Sequence, residues 1–291
     1  MGTQFTSRLK QTDRKRIYAG IVDALQEQLP YPAVQTGRTP GAEPKEPATA
    51  QLARRKKAAA GTGIGGKKTS VVQTVKSLSN AQRQRFGDAA LKEVLNVVAD
   101  HGFFETFKES ALFIDVLKWL LHLRGDAEFN GFADVISEYE MEQSVNPVGV
   151  LARKLEELTN EARTDPFRVA SASAAKAILV ETSLLNVPPK TGDAPARMFG
   201  KKLTTLKTRD LVTRYVHRFV YEVLSKPMSM SDPTSTDAVI NEARRESGKA
   251  TERIAKKAVE RIVKEGKLND ARRIQQIVVE GLMEYRKSAA A

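Results

Sequence analysis

Residues 103–124 read FFETFKESALFIDVLKWLLHLR, the most apolar stretch of the chain. Its apolar side chains recur at helical spacing and cover most of the cylinder rather than one stripe, the pattern of a helix surrounded by other helices. Glu105, Lys108, Glu109, Asp115 and Lys118 interrupt it, leaving no apolar run long enough to cross a bilayer. The stretch is therefore expected to be a core helix. Gly125 is expected to end it, because a residue free to take positive φ suits a helix C-cap.

Outward from this element, every long segment carries a period near 3.6 and none alternates as a strand does, so the expected fold is all-α with about nine or ten helices. Thr12 and Asp13 are expected to cap a helix over 13–29, with Ile17, Ile21, Val22, Leu25 and Leu29 on one face. Pro30 stops it, and residues 30–69 are rich in Pro, Gly and Ala with few large apolar side chains, as in a flexible tether. A short amphipathic helix gains little alone in water. This one is expected to dock on its own core or on a neighbouring copy.

Further helices are expected from a cap at Asn80, near 132–142, over 147–163 and from a start at Asp165-Pro166. Residues 186–199 read as loop. Thr208 then caps a helix broken at Lys226-Pro227, a long helix runs from about 236 to 265 with Gly248 inside it, and Asn269 caps the last one.

The net charge of +12 is unevenly placed. Residues 1–76 carry 14 Lys/Arg against 5 Asp/Glu, residues 77–189 carry 11 against 17, and residues 190–226 carry 9 against 3. Positive charge is thus concentrated in an arm and in one interior segment, the pattern of a surface that meets a polyanion. The absence of cysteine removes disulfides and thiolate metal sites and fits a reducing compartment. The N-terminus has no apolar signal-peptide core, so the chain is expected to stay on the cytosolic side.

Catalytic chemistry is not expected. GTGIGGKKT at 61–69 places Gly61, Gly63 and Gly66 at G-x-G-x-x-G spacing, but Lys68 stands where a phosphate loop needs Ser or Thr and no strand precedes it. Arg54, Arg55, Lys56, Lys57, Lys67 and Lys68 read instead as a mobile cationic arm or an import signal. His101, His122 and His217 are scattered, without metal-ligand spacing, and no cofactor is expected. The acidic run Asp134, Glu138, Glu140, Glu142 reads as a solvated or intersubunit face. The last two helices, with Arg272, Arg273, Gln275 and Gln276 opening the second, have the outline of a helix-turn-helix, although the first is too long for one.

Two segments carry more than periodicity. FIDVLKWLLHLRG at 113–125 resembles the apolar helix ending in Arg-Gly of the nucleocapsid proteins of phlebovirus- and tenuivirus-type segmented RNA viruses, and DPFRVASASAA at 165–175 is similar to the segment that follows it there. The loop with Pro188, Pro189, Thr191 and Gly192 and the closing DARRIQQIVVEGLMEYRKSAAA resemble their counterparts in order and character. A fainter likeness to coat proteins of flexible filamentous plant viruses lies around Arg168, Asn186-Val-Pro-Pro and Arg214-Tyr215. There are departures: Asp126, Ala127 and Glu128 stand where phleboviruses place lysines, and Arg218 where filamentous coat proteins have an aspartate.

The resemblance implies a two-lobed helical core, an N-lobe over 70–163 and a C-lobe over 164–291, holding single-stranded RNA in a cleft, with an arm over 1–69 that packs on the next protomer. It also implies Arg124 and Arg168 as cleft residues. Joined to the basic interior segment, it gives an RNA groove lined further by Lys201, Lys202, Lys207, Arg209, Arg214 and Arg218. Ile17, Ile21, Val22 and Leu25 would join copies into rings or filaments. The expected protein is a viral nucleoprotein, found in the virion and host cytoplasm, with single-stranded RNA, further copies of itself and the viral polymerase as partners. Two other readings fit the same residues: a helical scaffold or adaptor of a bacterial multiprotein system, and a DNA-binding accessory protein using the last hairpin.

Overall fold

The computed structural model describes residues 9–29, 77–188, 194–231 and 238–288. Among them the chain is all-helical, with eleven helices and no strand. In order these are α1 (Gln11–Gln28), α2 (Asn80–Ala99), α3 (Phe103–Glu109), α4 (Ala111–Phe129), α5 (Ala133–Glu138), α6 (Pro147–Glu161), α7 (Arg168–Ser183), α8 (Pro195–Thr204), α9 (Thr208–Ser231), α10 (Ala238–Lys264) and α11 (Ala271–Ser288).

The apolar stretch of 103–124 is two helices rather than one. Ser110, at φ −67° and ψ 108°, leaves helical geometry between α3 and α4. The carbonyls freed there are met by Gln275 of α11, whose buried Nε2 donates to Phe107 O (2.8 Å) and Ser110 O (2.7 Å). The Ser110 hydroxyl donates to Asp165 Oδ2 at 2.8 Å. Gly125 does not end α4, which runs a further turn to Phe129. That turn is tied by the Arg124–Glu128 pair and by buried Asp126, which accepts Asn130 Nδ2 (3.0 Å) and the Val135 N–H (2.9 Å). The positive φ falls on Gly131, at 61°, and on Phe132 after it, at 71°.

Other boundaries shift for local reasons. Ser79, not Asn80, caps α2, because its hydroxyl and the Gln82 side chain form a reciprocal capping box. Residues 195–199, read as loop, open α8, with Pro195 at a first-turn position that tolerates proline. Pro227 does not break α9, which continues to Ser231; Pro227 and Met228 are buried, and packing outweighs one lost backbone hydrogen bond.

At the centre, α9 and α10 run antiparallel. α9 also packs on α7, α4 and α1, and α10 on α2 and α11, while α6 and α8 cover α7. α2, from the expected N-lobe, therefore packs on α10, from the expected C-lobe, and one apolar cluster runs through both. The crossing of α2 and α10 is close: Ser247 Oγ donates to Gly87 O (3.1 Å), and a Cβ on Gly87 would lie 2.6 Å from the Glu246 backbone.

α1 docks on α2, α9 and α10 of its own chain. Ile17, Ile21, Ala24 and Leu25 are buried there, with Val22 half-buried. Its ends are latched by Asp13 to His101 (3.0 Å), Arg16 to Asp100 (2.8 Å) and Gln82 Nε2 to Gln28 O (2.7 Å).

G87V forces α2 and α10 apart at a contact with backbone. It is expected to cost about 1–3 kcal/mol of stability in chemical denaturation, the range for overpacking, whereas a change at exposed Gly131 to Asn, which tolerates positive φ, stays close to wild type.

Candidate nucleic-acid interface

Small side chains decide where the basic groups meet. Ala170, Ser171, Ala174 and Ala175 are buried along α7 and let α4, α6 and α9 approach it closely. This sets the last turn of α7 against α9, and Glu181 lies opposite two arginines one helical turn apart. Arg214 Nη1 reaches Glu181 Oε2 at 3.3 Å, and Arg218 pairs with Glu181 Oε1. Both guanidiniums are about two-fifths exposed, at 41% and 42%. One carboxylate facing two cations leaves the cluster positive and the arginines half-turned to solvent.

The same end of α7 meets α8. Lys202 Nζ donates to Ser183 O at 2.5 Å, occupying a carbonyl at the helix C-terminus, where a cation is favoured. Beside it lies a groove of about 460 Å³ lined by Asn146, Pro147 and Val148 at the start of α6, Ser183, Pro195, Met198, Phe199 and Lys202. Its floor is apolar, and the adjoining residues Val145 and Leu184 are 88% and 78% exposed. Arg197 is exposed on the first turn of α8. An apolar patch edged by Lys202, on the same helix as exposed Arg197, suits a ligand with flat apolar faces and a polyanionic backbone.

The structure brings together only part of the expected cation set. Lys202, Arg214 and Arg218 converge on the C-terminal end of α7, and Lys201 shares the last turn of α8. Arg168 stands at the other end of α7, about 20 Å from Glu181 along the axis, and donates to Asn160 Oδ1 (2.7 Å). Arg209 is turned half a revolution from Arg218 on α9 and lies 3.5 Å from Glu260 of α10. Lys207 is exposed just before α9. Arg124 does not line a groove: it is 8% exposed, donates from Nε to Leu206 O (2.6 Å) and pairs with Glu128, a clamp between α4 and the turn before α9.

Tyr215 is a core residue. It is fully buried, its hydroxyl donates to Phe113 O (3.2 Å), and burial pushes that hydroxyl far above its ordinary pKa. The groove residues Met198 and Phe199, and Arg197 beside them, escape the sequence reading because 186–199 reads as loop; the signal available was Pro195 at the first turn of a helix.

The polar residues that give the last hairpin its helix-turn-helix outline are largely spent inside the fold. Gln275 holds the α3–α4 break, Arg273 binds Glu265 (2.7 Å), and only Arg272 and Gln276 of the four are exposed. Among the described residues no group of three or more His, Cys, Asp or Glu is placed to hold a metal, and no helix is long and apolar enough to cross a membrane. The glycine-rich stretch with Gly61, Gly63 and Gly66, the arm cations from Arg54 to Lys68, and the loop residues Pro189, Thr191 and Gly192 lie outside the described residues. No family model, curated protein or solved structure matches this chain.

His217 neighbours Arg218 on α9, and its Nε2 lies 3.1 Å from the Gly248 carbonyl of α10. Burial chiefly lowers its pKa below the ordinary 6.5, with Arg218 adding to the effect against the Gly248, Glu252 and Glu181 contributions. The unfolded chain therefore takes up this proton at a higher pH than the folded one, and folding stability falls as pH drops below about 6.5. The H217Q variant keeps a donor for Gly248 and lacks the titration. Denaturation midpoints of wild type and variant are expected to run parallel above that pH and to diverge below it, with wild type losing more.

Proposed function

We propose that this chain is a nucleoprotein that encapsidates single-stranded genomic RNA at the basic end of α7 and oligomerises through α1. The observation that carries the reading is the Arg214–Glu181–Arg218 cluster at the same end of α7 as Lys202 and its apolar groove: half-exposed cations in excess over acid. Phosphates would meet Lys202, Arg214 and Arg218, with Lys201 and Lys207 adding to the local field. Counterion release makes such binding indifferent to sequence and weaker as salt rises. Among the described residues few aromatic side chains are free to stack bases, so the electrostatic contribution dominates.

The charge distribution and the family resemblance support the same reading, and the resemblance implies a complex found in the virion and in host cytoplasm. Assembly rests on α1: its buried face on its own core would be offered to an equivalent groove on a neighbour, giving closed rings or open filaments according to the rotation between copies.

Glu181 supplies a test that separates phosphate binding from bulk charge. A phosphate must compete with this carboxylate for both arginines. The E181Q variant is expected to bind a fluorescent single-stranded RNA more tightly than wild type. The R214Q/R218Q variant is expected to bind more weakly, with the log–log salt slope reduced by about 1.4, at ~0.7 per lost contact on a single strand. Wild type that fails to bind single-stranded RNA at low salt, or an R214Q/R218Q variant with unchanged affinity and slope, would contradict the proposal.

A further inference from the structure

A second cationic groove lies on the far side of α4, where α11 begins. One part, of about 630 Å³, is lined by Ile114, Lys118, Gly266, Lys267, Asn269, Asp270, Ala271 and Arg272. The next, of about 460 Å³, continues past Ala111 and Ile114 to Lys108, Gln276 and Met283. The two share Ile114 and Arg272, so they form one channel along α11, about 18 Å long between Ala271 and Met283.

Its charges are not spent within the fold. Lys108, Lys118, Lys267 and Arg272 are exposed, and none makes an ion pair with a described residue. Of the acids along the channel, Glu280 is held by Arg261 (2.8 Å) and Arg273 (3.8 Å), and Asp270 caps α11 by accepting the Arg273 N–H (3.0 Å). Glu109 remains. Elsewhere the arginines of α9, α10 and α11 are largely engaged, Arg209 by Glu260, Arg253 by Asp88 and Arg261 by Glu280.

We infer that this channel is a second contact for the same single-stranded nucleic acid, holding its phosphates along α11. The inference rests on the RNA-binding reading given above and assigns four residues which that reading does not use. A helical protein partner needs a continuous apolar stripe to dock on; of the apolar lining here, Ile114 and Ala271 are buried and only Ala111 and Met283 reach the surface, between cations. Cations spaced along a groove suit a chain of phosphates, and a strand coating many protomers must be held where it passes from one to the next as well as where it is first gripped.

The test uses the full chain and a long fluorescent single-stranded RNA, titrated across a range of salt. The K118E/K267E variant is expected to bind about tenfold more weakly than wild type, with a salt slope reduced by about 1.4. An R153E/K257E variant, which makes the same change in net charge at exposed residues outside both grooves and outside α1, should keep the wild-type slope. Photo-crosslinking of thiouridine-containing RNA to wild type should label peptides containing Ile114–Lys118 or Gly266–Arg272. Unchanged affinity and slope in K118E/K267E, with wild type and E181Q binding as expected, would overturn the α11 channel and leave the α7 site standing. No RNA binding by wild type would overturn both.

Discussion

Contact among six buried rings sets the geometry of everything else. Phe107 stacks on Phe219 with centroids 5.0 Å apart, Phe113 meets the edge of Phe219 at 4.8 Å, and Phe167 lies 5.4 Å from Phe107. Phe103 and Tyr215 complete the cluster. These rings come from α3, α4, α9 and the residue just before α7, so one packing event fixes four elements against each other. Large rings in offset and edge contacts contribute both burial and orientation. With Phe167 and Phe219 in register, α7 and α9 can meet again only along one line, and Glu181 arrives between Arg214 and Arg218.

The break at Ser110 belongs to the same device. A single straight helix over 103–124 would carry Phe103 and Phe107 away from Phe219; turning the chain at Ser110 lets both sides of the break reach the cluster. The cost is a set of backbone carbonyls without helical partners, and the Gln275 amide offsets it from α11. That use of Gln275 takes it away from any nucleic acid and places the start of α11 beside Ile114 and Lys118, where the second groove forms.

Much of this was legible in the chain. The 3.6 periodicity gave the helical class, and the buried faces of α2, α4, α9 and α10 follow the apolar spacing closely because amphipathicity is what holds those helices in place. The basic interior segment comes together only in part, Lys202, Arg214 and Arg218 meeting at one end of α7 where α8 and α9 pack on it. Less legible was anything decided by direction. Arg124 and Arg218 are the same residue type on apolar-rich helices, yet one turns inward to the Leu206 carbonyl and the other outward to Glu181. Arg209, adjacent in sequence to the groove cations, lies on the opposite face of its helix. Gly125 and Pro227 look like stops, but local ties and burial carry the helices through them, and tertiary packing routinely outweighs such local preferences. Lys118 read as an interruption of an apolar run, because its place beside Lys267 and Arg272 depends on a turn about 150 residues away in sequence, between α10 and α11.

The most direct test of encapsidation is the absorbance ratio of the purified full chain at 260 and 280 nm, with its elution from a sizing column before and after nuclease. A nucleoprotein is expected to carry co-purified RNA in a large oligomer whose nucleic acid resists digestion, because coated phosphates are shielded from the enzyme. A monomer free of nucleic acid, with the same elution volume before and after treatment, would contradict it.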